Sequence, residues 1–181
     1  MIYMFLADGF EEVEALAPLD LLRRAGADVK TVGIGGNVIC GAHGIKVYTD
    51  MLDSELTDHS ADMIILPGGM PGTLTLASSK TVSLAIECAL KNNSYIAAIC
   101  AAPSILGDRG LLCGKKAVCF PGFEDSMKGA EILNCGVVKD GNIITAAGMG
   151  VAFEFGLALV SCLYGKEKAD ELFASTQAKR R

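Results

Sequence analysis

The chain has 181 residues, a formal net charge of −5 and a hydrophobic fraction of 51%, enough to bury a sizeable core and too acidic for a nucleic-acid footprint. No apolar run approaches the ~20 residues that cross a bilayer, and MIYMFLADGFEEVE at the start lacks the basic stretch of a signal peptide. These features read as a cytoplasmic protein with no nucleic-acid or membrane partner. Lys179-Arg180-Arg181 is the one basic cluster and reads as a frayed tail. A mean hydropathy of +0.39 fits a parallel sheet covered on both faces, with an apolar oligomer interface as well.

In chain order, Ile2 to Ala7 reads as a buried first strand and Asp8-Gly9 as a turn. Glu11 to Ala25 follows as an amphipathic helix with Val13, Leu16, Ala17, Leu19 and Leu22 as its apolar face, and Pro18 predicts a kink or break. Asp28 to Gly33 is the second strand. Val38–Cys40 and Ile45–Tyr48 flank Gly41-Ala42-His43-Gly44 as a small hairpin, and Ala61 to Leu66 is an apolar run stopped by Pro67-Gly68-Gly69. Lys80 to Asn92 is helical through Val82, Leu84, Ile86, Ala89 and Leu90. Tyr95 to Ile99 is a strand, and Pro103 opens a helix to about Arg109. Ala117 to Phe120 reads as a strand, Asp140-Gly141 as a hairpin turn between Val137-Val138 and Ile143–Ala146, and 151–164 and 166–173 as two helices. The alternation, with no linker or repeat, predicts one α/β domain over residues 1–181 with a mainly parallel, doubly wound sheet.

Seven cysteines occur, at 40, 88, 100, 113, 119, 135 and 162. The odd count and the lack of any CxxC argue against a disulfide framework, and two histidines, His43 and His59, without ligand spacing argue against a structural metal. Cys88 and Cys162 fall in helical apolar patterns and read as small core residues. Nothing in the sequence assigns a role to Cys40, Cys113, Cys119 or Cys135. Cys100 differs: it ends a strand and precedes a helix start, where backbone N–H groups and the macrodipole favour thiolate.

Two other segments reach the same strand edge. Glu11 and Glu12 read as solvated first-turn acids; Glu14 is either the same or turned inward, where burial would raise its pKa and make it a proton donor. Gly68-Gly69 is either a plain turn or, with the N–H of Ala101, an oxyanion hole.

AAICAAP, LPGGMPG, DGFEEVEALAPLDLLRRAG and AAGMGVAFEFGLALV together resemble the ThiJ/PfpI superfamily, in the branch of the Parkinson-associated protein DJ-one and its bacterial relatives. The resemblance implies a flavodoxin-like three-layer sandwich, a homodimer, a nucleophile at Cys100, an acid at Glu14 on its sulfur, and oxyanion-binding backbone at Gly69 and Ala101. It also implies a cofactor-independent glyoxalase or deglycase acting on 2-oxoaldehydes or their adducts in oxidative and carbonyl stress. The alternative is a redox sensor or chaperone whose Cys100 oxidises to sulfinic acid, and a third reading is a member whose activity has lapsed. Alanine at 101 and phenylalanine at 120, where other branches or members carry histidine, disfavour proteolysis and amidotransfer. His43 and His59 read as solvated loop residues.

Overall fold

A computed structural model describes residues 1–179; Arg180 and Arg181 of the basic cluster lie outside the described residues. The chain forms β1 (Ile2–Leu6), α1 (Glu12–Arg24), β2 (Val29–Gly33), the hairpin β3 (Val38–Cys40) and β4 (Lys46–Tyr48), then β5 (Met51–Leu52) and β6 (Met63–Leu66). It continues through α2 (Gly72–Ser78), α3 (Lys80–Lys91), β7 (Tyr95–Ile99), α4 (Pro103–Gly107), β8 (Lys116–Ala117) and β9 (Glu131–Ile132). A second hairpin, β10 (Val137–Asp140) and β11 (Ile143–Ala146), leads into α5 (Ala152–Tyr164) and α6 (Lys166–Ser175).

Seven strands pair in the order β10-β11-β7-β6-β1-β2-β5. Every neighbouring pair is parallel except the β10–β11 hairpin. The chain leaves β1 toward β2 and later returns on its other side with β6. The order reverses there, and ligands of flavodoxin-like sheets bind outside the strand carboxyl ends at such a reversal.

β1 is buried along its whole length and alternates between two cores. Ile2, Met4 and Leu6 meet Leu19 and Leu22 of α1, Phe155 and Leu159 of α5, and Leu172 of α6. Tyr3 and Phe5 turn the other way, to Leu76 of α2, Val82 and Ile86 of α3 and Leu106 of α4. Two-sided burial explains why these strands are nearly continuous apolar runs. The result is the expected α/β sandwich.

Several local expectations are corrected. Helix α1 runs through Pro18 without a break. The proline costs one helical hydrogen bond, but it packs against α5 where Gly156 has no side chain: a Cβ there would lie 2.9 Å from Pro18 Cα and 2.7 Å from Leu21 Cδ1. The buried side of α1 is Glu12, Glu14, Ala15, Pro18, Leu19, Leu21 and Leu22, so Val13 faces out and Leu16 and Ala17 are half-buried. On α3, Leu84 and Leu90 are likewise exposed, while Val82, Ala85, Ile86 and Ala89 face the sheet. Helix α2 was hidden in a Pro-Gly-rich stretch too short to show a helical period. The 117–120 strand shrinks to two residues because the Val118 N–H leaves the ladder for Thr145 Oγ1, at 3.0 Å. All seven cysteines are free thiols, and Cys88 and Cys162 are half-buried rather than core residues.

Contact between α1 and α5 sets the sign of one substitution. Helix propensity alone favours Gly156→Ala by about 1 kcal/mol, whereas overpacking against the Pro18 backbone costs about 1–3 kcal/mol. The variant is expected to unfold at lower urea than wild type; a higher midpoint would show that the interface has room for a methyl group.

Candidate active site

β7 delivers Cys100 to the reversal edge and the chain turns sharply there. Cys100 sits at φ +65, the left-handed region that a non-glycine residue occupies at a cost on the order of 1–3 kcal/mol. Neighbouring segments hold it. The Cys100 N–H donates to the Ala146 carbonyl of β11 at 2.8 Å, and the Cys100 carbonyl accepts from the Phe120 N–H at 2.8 Å.

Glu14 arrives from the first turn of α1 and is 1% exposed. Its carboxylate accepts the Gly68 N–H at 3.1 Å, and it also meets the backbone N–H of Met149 and the Cys100 thiol. Gly68 permits this meeting: a Cβ on it would stand 2.5 Å from Glu14 Oε2 and 2.6 Å from Cys100 Cβ. The N–H groups of Gly69 and Ala101 face the sulfur. Gly69 is itself left-handed, at φ +96, a conformation glycine adopts without the cost of a Cβ. Cys100, Glu14, Gly69 and Ala101 therefore lie together at this edge. Gly68 joins them in a different capacity, because its N–H is given to Glu14.

Burial raises the Glu14 carboxyl from 4.5 to about 7, against hydrogen bonds from the thiol and from backbone N–H groups, with the nearby Glu11 charge adding to the rise. Burial also pushes the Cys100 thiol up to about 12, reinforced by the Glu14 charge and hydrogen bond and opposed by the Ala101 and Gly69 N–H groups. This corrects the expected helix-activated thiolate: α4 has five residues, too few for a macrodipole to offset burial beside a carboxylate. The pair resists carrying two negative charges and so holds one proton between about pH 7 and about 12. Thiolate arises here by moving that proton from sulfur to Glu14.

Glu11 and Glu12 are not the solvated acids the sequence suggested. Glu11 Oε2 accepts the Glu14 N–H at 2.7 Å, and the Glu11 N–H donates to the Gly68 carbonyl at 2.9 Å, which locks the loop after β1 to the loop after β6. Glu12 is 4% exposed and gathers the β3–β4 hairpin. It accepts the His43 N–H at 2.7 Å and lies 2.8 Å from His43 Nδ1. Burial alone would raise the Glu12 carboxyl, but hydrogen bonds from the His43 ring, backbone N–H groups and Ile45 outweigh it and hold it low. The same ring hydrogen bond, with the Glu12 charge, raises exposed His43. Ligand atoms of Glu11, Glu12 and His43 lie within 4.8 Å of one another and are the described group able to hold a cation. His43 thus serves the hairpin, and His59 lies beside Cys88 on a groove of about 640 Å³ before β6, away from the reversal edge.

The sequence analysis missed Glu11, Glu12 and the backbone at 148–149. Glu12 lies three residues before Ala15 and Glu14 four before Pro18, on the buried side of α1, a placement that only the packing of the helix reveals.

The profile of the DJ-1/PfpI family matches residues 1–162. Protein dj-1beta of Drosophila melanogaster is 34% identical over 172 residues, covering 93% of this chain and 92% of that protein. The chain belongs to the DJ-1/PfpI family. Protein DJ-1 homolog A of Arabidopsis thaliana is 41% identical over 92% of this chain, which spans 44% of that longer protein. A Caenorhabditis elegans protein named glutathione-independent glyoxalase DJR-1.2 is 32% identical over 90% of this chain and 87% of its own length. Among solved structures, oxidized Toxoplasma gondii DJ-1 superposes with a TM-score of 0.94 at 33% identity, covering 99% of this chain and 98% of that one.

A shared proton has a direct kinetic signature. Alkylation of Cys100 by iodoacetamide is expected to rise with pH and level off above about 7, where the pair has lost its first proton. In Glu14→Gln that step disappears and the rate climbs only at higher pH, as the thiol itself ionises. Superimposable profiles would show that Glu14 does not take the thiol proton.

Proposed function

We propose that this DJ-1/PfpI protein is a cysteine-dependent, cofactor-independent glyoxalase/deglycase, acting on 2-oxoaldehydes of the methylglyoxal type or their adducts in oxidative and carbonyl stress. The observation that carries this reading is a buried carboxyl raised to about 7 on the sulfur of a cysteine that two backbone N–H groups also face. The glyoxalase name of the Caenorhabditis relative supports it.

The chemistry balances without a redox partner. Glu14 takes the thiol proton, the sulfur bonds to the aldehyde carbon, and the carbonyl electron pair moves onto oxygen near the Gly69 and Ala101 N–H groups. That oxygen takes the proton back from Glu14, giving a hemithioacetal. Glu14, a carboxylate again, removes the hydrogen on the former aldehyde carbon as a proton, and the electron pair moves toward the neighbouring carbonyl, leaving an enediolate. The hydroxyl proton passes from the former aldehyde oxygen to that neighbouring oxygen, and Glu14 returns its proton to the neighbouring carbon, which gives a thioester of a 2-hydroxy acid. Water then cleaves the thioester, releasing the acid and the free thiol. One carbon is oxidised as its neighbour is reduced, and a single carboxyl with a pKa near 7 serves as base and acid in turn.

The second reading is a redox-responsive protein or chaperone. Protonated Glu14 and the two N–H groups could hold a sulfinate as readily as an oxyanion. Wild type supplied with methylglyoxal should form lactate, and Cys100→Ala and Glu14→Gln should each lose about 100-fold or more. Full turnover in either variant would end the glyoxalase mechanism. No lactate from wild type, with two oxygens added selectively to Cys100 by mild peroxide, would favour the sensor.

We also propose a cytoplasmic homodimer formed through α1 and the β3–β4 hairpin. Val13, Ile45 and Tyr48 are 44%, 53% and 82% exposed. The Ile45 N–H lies 3.4 Å from Glu12 Oε1, so Glu12 fixes the hairpin beside Val13. Light scattering should give twice the chain mass for wild type and a shift toward monomer for Val13→Glu with Ile45→Glu; a dimer unchanged by both substitutions would place the interface elsewhere.

A further inference from the structure

The segment after β8 crosses the open end of the site. Ala117, Val118 and Cys119 are buried, and the Val118 N–H is pinned to Thr145 Oγ1. The next residue, Phe120, is pinned to the Cys100 carbonyl at 2.8 Å, yet its side chain is 47% exposed. A large aromatic ring is therefore held by a rigid backbone where burial is incomplete. Its place relative to the acid is also fixed. A methyl group built on Gly148 would stand 3.2 Å from Phe120 Cδ2 and 3.8 Å from Glu14 Oε1, so ring and carboxyl face each other across bare backbone. The residues that follow the oxyanion-side Gly69 and this Gly148 are Met70 and Met149, which are 46% and 54% exposed. Loops after β6, β8 and β11 thus carry the large, part-exposed apolar residues Met70, Phe120 and Met149 next to backbone of the site.

Charge at the edge works in the same direction. Glu14 and Glu11 disfavour an anionic substituent next to the sulfur, and a polyhydroxylated one would exchange water for an aromatic face. An aryl or branched apolar group loses nothing there and gains ring contact. Resting on the carbonyl chemistry proposed above, we infer that Phe120 makes the Cys100 site selective for carbonyl electrophiles carrying an aryl or bulky apolar substituent beside the reacting carbon. For the 2-oxoaldehyde reaction, this means phenylglyoxal-like substrates over methylglyoxal.

The test separates pocket preference from turnover. Phenacyl bromide and bromoacetone alkylate a thiol by the same displacement: sulfur bonds to the methylene carbon and bromide leaves. They differ in phenyl against methyl. With each rate on Cys100 divided by its rate on free cysteine, wild type should favour phenacyl bromide about three- to tenfold, the range of one aromatic contact. Phe120→Ala should bring that ratio close to one, and Phe120→Tyr, which keeps the ring, should retain it. In turnover, the ratio of kcat/KM for phenylglyoxal over methylglyoxal should fall by the same factor in Phe120→Ala, through KM rather than kcat. A wild-type alkylation ratio near one, or a ratio kept in Phe120→Ala with native thermal unfolding, overturns the inference. Ring-dependent alkylation with no 2-hydroxy acid from either aldehyde would uphold Phe120 as the selector while removing the glyoxalase reading.

Discussion

One proton shared between Glu14 and Cys100 is the constraint around which the rest of this structure is arranged. Burying either group alone would be simple: a carboxylic acid or a thiol is neutral and loses little on leaving water. Burial is the largest influence on both ionisations, lifting the carboxyl to about 7 and the thiol to about 12, and contact adds to it because the Glu14 charge opposes a second negative charge on sulfur. The resulting monoanion has two forms, carboxylate with thiol or carboxylic acid with thiolate. Backbone dipoles decide how accessible the second form is. Gly68 and Met149 direct N–H groups to the carboxylate, and Gly69 and Ala101 direct theirs to the sulfur. Backbone N–H groups thus reach both ends of the proton transfer, the carboxylate and the sulfur.

That arrangement depends on four loops from four strands meeting within a few ångströms, and the topology explains why they do. The carboxyl ends of β1, β6, β7 and β11 lie together because the chain reverses its strand order beside β1. The fine positions come from small residues and backbone bonds. Gly68 leaves space where a Cβ would strike both Glu14 and Cys100. The Glu11 N–H joins the loop after β1 to the loop after β6, and its carboxylate caps α1 by accepting the Glu14 N–H. The left-handed Cys100 adds strain, which the Ala146 and Phe120 hydrogen bonds on its two peptide groups offset.

Much of this was legible in the sequence because buried parallel strands have an unmistakable composition. YIAAI, MIIL and IYMFL are short apolar runs, and each ends at a segment of the site: Cys100, Pro67-Gly68-Gly69, and the Asp8-Gly9 turn that leads to α1. What stayed hidden falls into two kinds. Helix α1 is apolar on more than one side, so hydrophobic spacing places Leu19 and Leu22 inward correctly but adds Val13, which faces out, and omits Ala15 and the buried acids Glu12 and Glu14. Acid burial is the second kind. A glutamate in a first helical turn is ordinarily solvated, and only a tertiary partner, here the Gly68 N–H for Glu14 and His43 for Glu12, makes its burial tolerable. The expected thiolate at Cys100 rests on a helix terminus that the sequence shows, whereas the burial that chiefly raises the thiol comes from tertiary packing that it does not.

Phenylalanine at 120 then fits the same physics. A histidine beside the thiol would add a second titrating group, and its cationic form would pull the Glu14 carboxyl back down. An aromatic hydrocarbon adds no charge, and desolvation by burial stays the largest influence on Glu14. A site with one carboxyl for every proton transfer needs that carboxyl near neutrality, and burial leaves it there. The ring that would select apolar substrates therefore stands near Glu14 without opposing the burial that makes its carboxyl useful.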